Sequence, residues 1–504
     1  MAGDDASEWI GFTVGTQPRR SSVGQELERR FRIAVLGDFS GRGASGAPAE
    51  TPLAKRPAHW VDRDNFEEVM MTIGPSISVS FRDGSPHPPL RFTELDDFHP
   101  DHLYERLPVF RALRTLRRRL ADPATFAEAA GELLEPSSVK TGPAAPLPPP
   151  PADLLEQILG GEAAAPARAA KPRDDFQDYL KQIVAPHVIP GEDPRQPQML
   201  AKVDAAAAVE MRAILHHPAF QALEGLWRAL YLLVRGLETG SGLQIFVIDA
   251  TRDEIARDLL ADDKDLESTA MYKLLADASA GGADADRWSV LAGAYRFGTE
   301  TDDLVTLGRL AAIAKAAGAP WIAEADSRLA GCASFAAHPD PDDWAREPHG
   351  GWQVLRELPG AQFIGLAAPR FLLRLPYGKD TDACELFQFE ESGSPPAHED
   401  YLWGSPAIAC ALLLGRAFEA GGWDLRPGRA PELDRLPQHI FRENGEMVSK
   451  PCAEIVMSER AAGRLLDAGI IPIASIKGSD RIRVVRFQSI AIPPSPLAGP
   501  WSRE

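Results

Sequence analysis

A proline- and alanine-rich segment, Thr141 to Lys171, limits what this chain can fold into more than any other feature. Its consecutive prolines, Pro148 to Pro151, lack amide donors and favour extended polyproline geometry, so they do not belong in a packed core. We therefore interpret the segment as a linker between two modules. The predicted parts are an N-terminal arm (1–30), a first module (31–140), the linker region (141–200) and a second module (201–504).

One short apolar stretch interrupts the linker. Asp153 can cap a helix and two glycines, Gly160 and Gly161, can end it. Between them, four apolar side chains fall on one helical face, namely Leu154, Leu155, Ile158 and Leu159. An apolar helix face displayed on a linker favours binding to a partner protein. The alternative is a helix that packs on its own chain. A further helix is predicted at Phe176–Val184.

Composition excludes several classes of protein. The net charge of -18 opposes general binding to nucleic acid, which needs clustered positive charge. No run approaches the roughly 20 apolar residues of a membrane span, so we expect no membrane insertion. The N-terminus lacks the pattern of a signal peptide, and the four cysteines are scattered, so we expect a cytoplasmic protein without disulfides. The main basic cluster, Arg111 to Arg119, is either a solvated helix face or a patch that meets an acidic neighbour.

The hydrophobic pattern predicts a mixed α/β fold in both modules. In the first, Ile33–Leu36 is a buried strand, Asp62–Ile73 a capped helix, and Leu103–Leu120 another helix. In the second, strands such as Leu243–Ala250 alternate with helices such as Thr251–Leu260. This alternation implies a mixed or parallel sheet covered on both faces.

Most candidate chemistry in the sequence is weak. The glycine-rich turn Gly37–Gly46 lacks the lysine and hydroxyl pair of a phosphate-binding loop, and His216 with His217 has no metal-ligand spacing. We predict no catalytic residues, no cofactor and no metal, and hence no enzyme. The segment Arg374–Glu391 is distinctive, because Arg374, Tyr377 and Lys379 lie near acids. It could form a ligand pocket, or its cations could pair with acids to order a loop at a subunit contact, which we favour.

Several segments together resemble the two sheath proteins of bacterial type VI secretion systems. The first module resembles the small subunit, the TssB or VipA family, in IAVLGDFSGR (33–42), in 61–79 and in 90–120. The second resembles the large subunit, the TssC or VipB family. Its matching segments are ILHHPAFQALEGLWRALYLLV (214–234), RLPYG (374–378), LWGSPAIACALLL (402–414) and residues 452–490. The resemblance covers nearly the whole chain outside the first 25 residues and the linker.

The resemblance implies a fold and a role. Two mixed α/β modules of the contractile tail-sheath type are expected, joined by the linker. Sheath subunits pair, polymerise around an inner tube of Hcp-like protein on a baseplate, and contract to eject the tube. The linker helix resembles the segment that a ClpV-type AAA+ ATPase grips. We expect Ile33, Val35 and Leu36 to form an intermolecular or intermodular sheet core, and Arg374 and Tyr377 to lie in an assembly loop.

The chain departs from the pattern of this family in two ways that affect how we expect it to assemble. The subunits are normally separate chains, and fusion fixes a one-to-one ratio and raises their effective concentration. The family also continues with a C-terminal strand beyond the last matching segment, so standard interlocking needs the N-terminal arm or another chain as a substitute. Two alternatives remain open: a non-polymerising adaptor or terminator of the same apparatus, and a ligand-binding protein or enzyme that uses the PYGKD loop, Pro376–Asp380.

Overall fold

The computed structural model describes residues 29–78, 89–122, 124–134, 196–261, 265–277, 287–345, 350–429 and 431–502. Three predicted features lie outside these residues. They are nearly all of the N-terminal arm, the linker helix with Leu154, Leu155, Ile158 and Leu159, and the predicted helix Phe176–Val184.

A nine-stranded sheet forms the centre of the molecule, in the order β11-β15-β14-β8-β7-β6-β1-β5-β2. The strands from β14 to β5 in this order are parallel, and β2, β15 and β11 pair antiparallel at the two edges. The bounds are β1 Phe31–Gly37, β2 His59–Val61, β5 Leu243–Asp249, β6 Val290–Phe297, β7 Trp321–Ala325, β8 Ile364–Ala368, β11 Glu432–Leu433, β14 Ile470–Ser475 and β15 Ile482–Val484.

Three smaller antiparallel pairs complete the strands that the structure describes. They are β3 Ser76–Ile77 with β4 Leu90–Arg91, β9 Phe371–Arg374 with β10 Leu402–Gly404, and β12 Ile440–Glu443 with β13 Glu446–Ser449. The last pair is a hairpin closed by Asn444 and Gly445, both with positive φ, as two-residue hairpin turns require.

Helices cover both faces of the sheet. Their bounds are α1 Arg42–Ser45, α2 Phe66–Ile73, α3 Pro100–Arg106, α4 Pro108–Ala121, α5 Phe126–Leu134, α6 Gln196–Leu215, α7 Pro218–Gly236, α8 Arg252–Leu259, α9 Ala270–Tyr272, α10 Thr301–Ala317, α11 Gly350–Arg356, α12 Pro406–Gly421 and α13 Glu459–Asp467. Helices α7 and α12 bury their apolar side chains in one core, and α8 and α10 bury theirs in the other. None of the described helices is both long and apolar enough to cross a bilayer.

Strand β1 contributes side chains to both cores. Ile33 and Val35 point into the core under α7 and α12, whereas Ala34 and Leu36 point into the opposite core. A strand buried on both faces needs a continuous apolar run, which FRIAVLG provides. The mixed α/β fold class predicted from the sequence is confirmed.

Two predicted helices have different bounds in the structure. The helix predicted at Asp62–Ile73 begins at Phe66, because the Asp62 carboxylate instead accepts the backbone N–H groups of Asp64 and Asn65 in a turn. The single helix predicted at Leu103–Leu120 is two helices, α3 and α4. The break falls at Leu107, since Pro108 lacks an amide donor and disfavours helical geometry in the residue before it.

Candidate functional site

The two modules meet in the middle of the large sheet. Strand β1, from the first module, lies between β5 and β6 of the second, and is parallel to both. Val35 is opposite Val247 on one side and Ala292 on the other. Ile33, Val35 and Leu36 are fully buried. The strand singled out in the sequence therefore occupies an intermodular position within this one chain.

A group of charged side chains, here called the Asp249 cluster, lies at the carboxyl end of β1. It consists of Asp38, Arg42, Arg56, Asp249 and Glu254. Arg42 forms ion pairs with both Asp249 and Glu254, and Arg56 Nη2 lies 3.0 Å from Glu254 Oε1. Because both arginines belong to the first module and both of these acids to the second, the cluster ties the modules together.

Local geometry places each member of the Asp249 cluster. Asp249 ends β5, and Glu254 is the third residue of α8, where its carboxylate completes a capping box with Thr251. Gly41 has a φ of 73°, which reverses the chain after β1 and brings Arg42 back over the sheet end. The glycine-rich turn thus positions a cation.

The acids of the Asp249 cluster differ in their proton affinity. Burial opposes ionisation of Glu254, but the Thr251 amide and the guanidinium groups of Arg56 and Arg42 outweigh it and lower its pKa to about 2. Burial raises the pKa of Asp38, and the nearby Asp249 charge adds to that effect. Protonation of Asp38 is therefore the easier change in this cluster.

A second contact between the modules is made by helices and loops. Arg117 Nε on α4 lies 2.7 Å from Asp204 Oδ1 on α6. The Asp101 carboxylate, at the start of α3, accepts the backbone N–H groups of Glu385 and Leu386 at 2.8 and 3.2 Å. Trp227 Nε1 on α7 donates to the Phe39 carbonyl at 3.0 Å. The first module is thus held by several elements of the second.

The RLPYG loop is organised by the most deeply buried charges of the site, here called the Arg374 cluster. Arg374 Nε lies 2.7 Å from Glu224 Oε1, and its Nη1 lies 2.7 Å from Glu391 Oε2. Side-chain exposure is 9%, 0% and 1% for Arg374, Glu224 and Glu391. Glu391 also accepts the Tyr377 backbone N–H at 2.8 Å, and Arg228 donates to the Tyr377 hydroxyl at 3.0 Å.

These contacts fix the chemistry of the loop. Burial opposes ionisation of Glu391, but the Arg374 charge, the nearby His216 side chain and the Tyr377 backbone N–H prevail, and the pKa falls to about 2. Burial raises the pKa of the Tyr377 hydroxyl well above its ordinary value. Glu391 therefore remains an anion held by a cation, an arrangement suited to ordering a loop. The Lys379 side chain is exposed, and only its backbone N–H bonds Glu390.

The adjacent histidines play different structural roles. His217 precedes α7, and its Nδ1 accepts the backbone N–H of Ala219 at 3.3 Å, as a helix cap. His216 lies within 3.6 Å of Glu391 and 3.9 Å of Asp400. One histidine therefore caps a helix, and the other lies beside two acids.

One group of side chains in the described ranges has metal-ligand spacing. Ligand atoms of Glu94, Asp97 and His102 lie within 4.8 Å of one another. Asp97, however, forms an ion pair with Arg106 and accepts both the backbone N–H and the hydroxyl of Thr93. These bonds use the Asp97 oxygens to hold the turn before α3, so the group serves the fold.

Comparison with known families decides what kind of chain this is. The family model of VipB, the tail sheath N-terminal domain of EvpB type, matches residues 197–491. The family model of the type VI secretion protein VipA matches residues 14–132. The chain belongs to the type VI secretion sheath family. It therefore carries a VipA-like and a VipB-like part in one polypeptide.

A curated relative supports the VipB-like assignment. The type VI secretion system sheath protein TssC1 of Pseudomonas aeruginosa is 32% identical over 308 residues, which cover 58% of this chain and 61% of the relative. The chain thus spans about three fifths of that relative's length.

The Asp249 cluster joins the VipA-like part to the VipB-like part. Arg42 and Arg56 lie in the VipA-like part, and Asp249 and Glu254 in the VipB-like part. Sequence reasoning did not identify these four residues as a group. The usable signals were Asp249 at the end of a predicted strand and the capping box that contains Glu254. The sequence offered no signal for the two arginines, because their partners lie about 200 residues away.

Proposed function

We propose that this chain is a structural subunit of a type VI secretion sheath, in which a small and a large subunit form one building block. The position of β1 between β5 and β6 carries the proposal. Because the strand completes the sheet of the VipB-like part, the two parts move as one body, as a sheath protomer must. The building block assembles around an Hcp-like inner tube, on baseplate proteins in the cytoplasm, and contracts to drive the tube out.

The domain division follows from this function. The arm (1–30) precedes a small-subunit module (31–140), the linker region (141–200) and a large-subunit module (201–504). Within the linker region, the apolar face of Leu154, Leu155, Ile158 and Leu159 is the handle for a ClpV-type ATPase that disassembles contracted sheath. Its four apolar side chains suit a groove on a partner protein.

The β12–β13 hairpin supports assembly by strand pairing. It pairs with no other strand in the described ranges, so both of its edges are open. Ile440 and Met447 are 55% and 64% exposed. A two-stranded hairpin is marginally stable alone, and a strand from a neighbouring copy would extend it and cover these side chains. The loop held by Arg374 and Tyr377 has an exposed rim, which we propose as a further subunit contact.

Electron microscopy of the purified chain, alone and with the inner-tube protein of the same system, tests the proposal. Helical tubes are expected, and their disassembly by the ClpV-type ATPase should require Leu155. A double variant, Ile440→Lys with Met447→Lys, should remain folded and lose the tubes. The matched control is Arg435→Lys, an exposed position near the hairpin.

The other outcomes separate the alternatives. Discrete particles at tube ends would favour an adaptor or terminator. Monomers in the presence of every partner would refute sheath building. A rise in melting temperature with a small molecule, abolished by Tyr377→Phe, would favour a ligand-binding protein.

A further inference from the structure

A groove of about 720 Å³ lies between α4, α6 and the loop 379–390. Its floor contains Ala201, Ala205 and Ala208, which follow one face of α6 at helical spacing. Phe387 and Phe389 contribute a wall of the groove. Small side chains on the floor allow another helix to approach the backbone of α6 closely. The shape of the groove therefore suits an amphipathic helix.

The edges of this groove carry three cations. They are Arg117 on α4, Arg212 on α6 and Lys379 in the loop, and three acids, Asp204, Glu385 and Glu390, line the same groove. Arg117 is paired with Asp204, and Arg212 donates to the Glu390 backbone carbonyl at 2.7 Å. Lys379 is exposed and forms no ion pair with an acid of the described residues. Lys379 is therefore the cation of this groove that an acidic side chain of an occupant can pair with.

We propose that residues 174–184 of this same chain dock in the groove. In that segment, DDFQDYLKQIV, the apolar residues Phe176, Leu180, Ile183 and Val184 fall on one face of a helix, with Tyr179 beside them. Asp174 and Asp175 open the segment, where they can cap the helix and face the cations. The apolar face therefore matches the groove, and the two acids can pair with Lys379.

Chain connectivity favours docking within one molecule. Helix α6 begins at Gln196, twelve residues after Val184, and twelve extended residues span up to about 40 Å. Ala205 lies nine residues into α6, about 14 Å along its axis. The segment can thus reach the groove of its own chain without strain. A short tether also gives it a high effective concentration there.

Docking at this place has a structural consequence beyond the proposed function. The groove is built from α4 of the VipA-like part and α6 of the VipB-like part. A helix in the groove braces the two parts against each other. It also anchors the end of the linker on the body of the chain, so the handle at 153–159 departs from a defined point.

Cross-linking within the full chain tests the docking. In a Cys384→Ala background, Ala205→Cys is paired with Leu180→Cys and treated with a short bis-maleimide. The three remaining native cysteines are buried. The matched control replaces Leu180→Cys with Asp178→Cys, on the opposite face of the predicted helix. We expect at least a fivefold higher yield for Leu180→Cys, at monomer mass.

Three results would overturn the proposal. They are equal yields from both positions, cross-links found only in dimers, and a higher yield from Leu155→Cys in the handle. Dimers would place the segment on a neighbouring copy, and the last result would make the handle the occupant. None of these readouts depends on tube formation, so docking and sheath building can fail separately.

Hydrogen exchange provides a second measurement on the unlabelled chain. Amides of 176–184 should exchange at least tenfold more slowly than expected for an unstructured peptide. Ala205→Trp, which fills the groove, should restore fast exchange, whereas Thr115→Trp on the exposed side of α4 should not. Unstructured exchange rates in the parent chain would contradict the proposal.

Discussion

The Arg374 cluster and the Asp249 cluster use the same kind of contact in different ways. In the first, Arg374 lies between two carboxylates, Glu224 and Glu391, that are 0% and 1% exposed, and Arg228 also pairs with Glu224 at 2.7 Å. In the second, two arginines share Asp249 and Glu254, whose side chains are 15% and 17% exposed. The first organises a loop within the VipB-like part, and the second joins the two parts.

The two clusters differ in how easily a charge can find another partner and in how exposed they are to water. Breaking a fully buried ion pair leaves a charge that neither water nor another partner can satisfy, whereas a shared, slightly exposed cluster can redistribute its contacts. The intermodular contact therefore tolerates single changes better than the loop does.

The largest effect should follow from Arg374→Met. Glu391 then loses its guanidinium partner at a fully buried position, while Glu224 keeps Arg228, and the change should cost about 3–5 kcal/mol of unfolding free energy. Denaturant unfolding measures the loss. The control is Arg328→Met, whose side chain is 52% exposed and whose ion pairs should contribute about 0–1 kcal/mol. Similar losses in both variants would contradict the contrast between buried and exposed pairs.

Acidification should weaken the Arg374 cluster more than the Asp249 cluster. The folded pKa of Glu391 is lowered to about 2, so its contribution is present above the unfolded pKa and is lost as the pH falls towards 2. At pH 3 the loss should be about 2 kcal/mol. Glu254 behaves in the same direction, but the raised pKa of Asp38 means that its protonation favours the folded state as the pH falls.

Denaturant unfolding between pH 6 and pH 3 tests this comparison. Glu391→Gln should flatten the pH dependence, because glutamine does not titrate in either state. Glu254→Gln should flatten it to a similar degree, because the pKa of Glu254 is also lowered to about 2, and Asp38→Asn should steepen it. Equal slopes in all three variants would show that these carboxylates do not set the acid sensitivity.

Glu254→Gln at pH 7 should have a moderate effect. The glutamine oxygen can still accept from the Thr251 backbone and Arg42, but its NH2 group then faces Arg56, which keeps its bonds to the Thr51 and Asp249 carbonyls. Asp249 continues to neutralise both arginines. Loss of one charge-assisted contact should cost about 1.5 kcal/mol. Glu300→Gln, at a side chain that is 72% exposed, provides the control and should change stability by less than about 0.5 kcal/mol. A loss of unfolding free energy as large as that of Arg374→Met would contradict the idea that ion pairs in the Asp249 cluster can replace one another.

The sequence predicted local structure better than long-range contact. The apolar run of β1 and the Thr251 capping box depend on neighbours in the sequence, and both are present in the structure. The break at Pro108 was missed because apolar spacing continues through it, although proline is itself the signal. The position of β1 between β5 and β6 depends on strands more than 200 residues away, which no local pattern encodes.

The candidate site was predictable to a similar extent. The pairing of Arg374 with acids was expected from nearby acids in the loop, and Glu391 is one of them. Glu224 was not expected, because it lies on α7, whose apolar spacing gives no indication that one polar residue faces inwards. The Asp249 cluster was missed because both of its arginines occur in segments that look like surface turns.

The smallest effect should follow from Arg117→Ala at the helical contact between the parts. Arg117 is 33% exposed and Asp204 is 5% exposed, so water can reach the cation more easily than the acid. The loss should be about 1 kcal/mol, between that of a surface pair and that of a buried one. Arg111→Ala is the matched control, since Arg111 is exposed on the same helix and has no acidic partner in the described ranges. Denaturant unfolding should show a loss below about 0.5 kcal/mol for it. If both variants lost the same unfolding free energy, α4 and α6 would stabilise the contact by packing alone. The charged contacts that join the two parts would then be those at the end of β1.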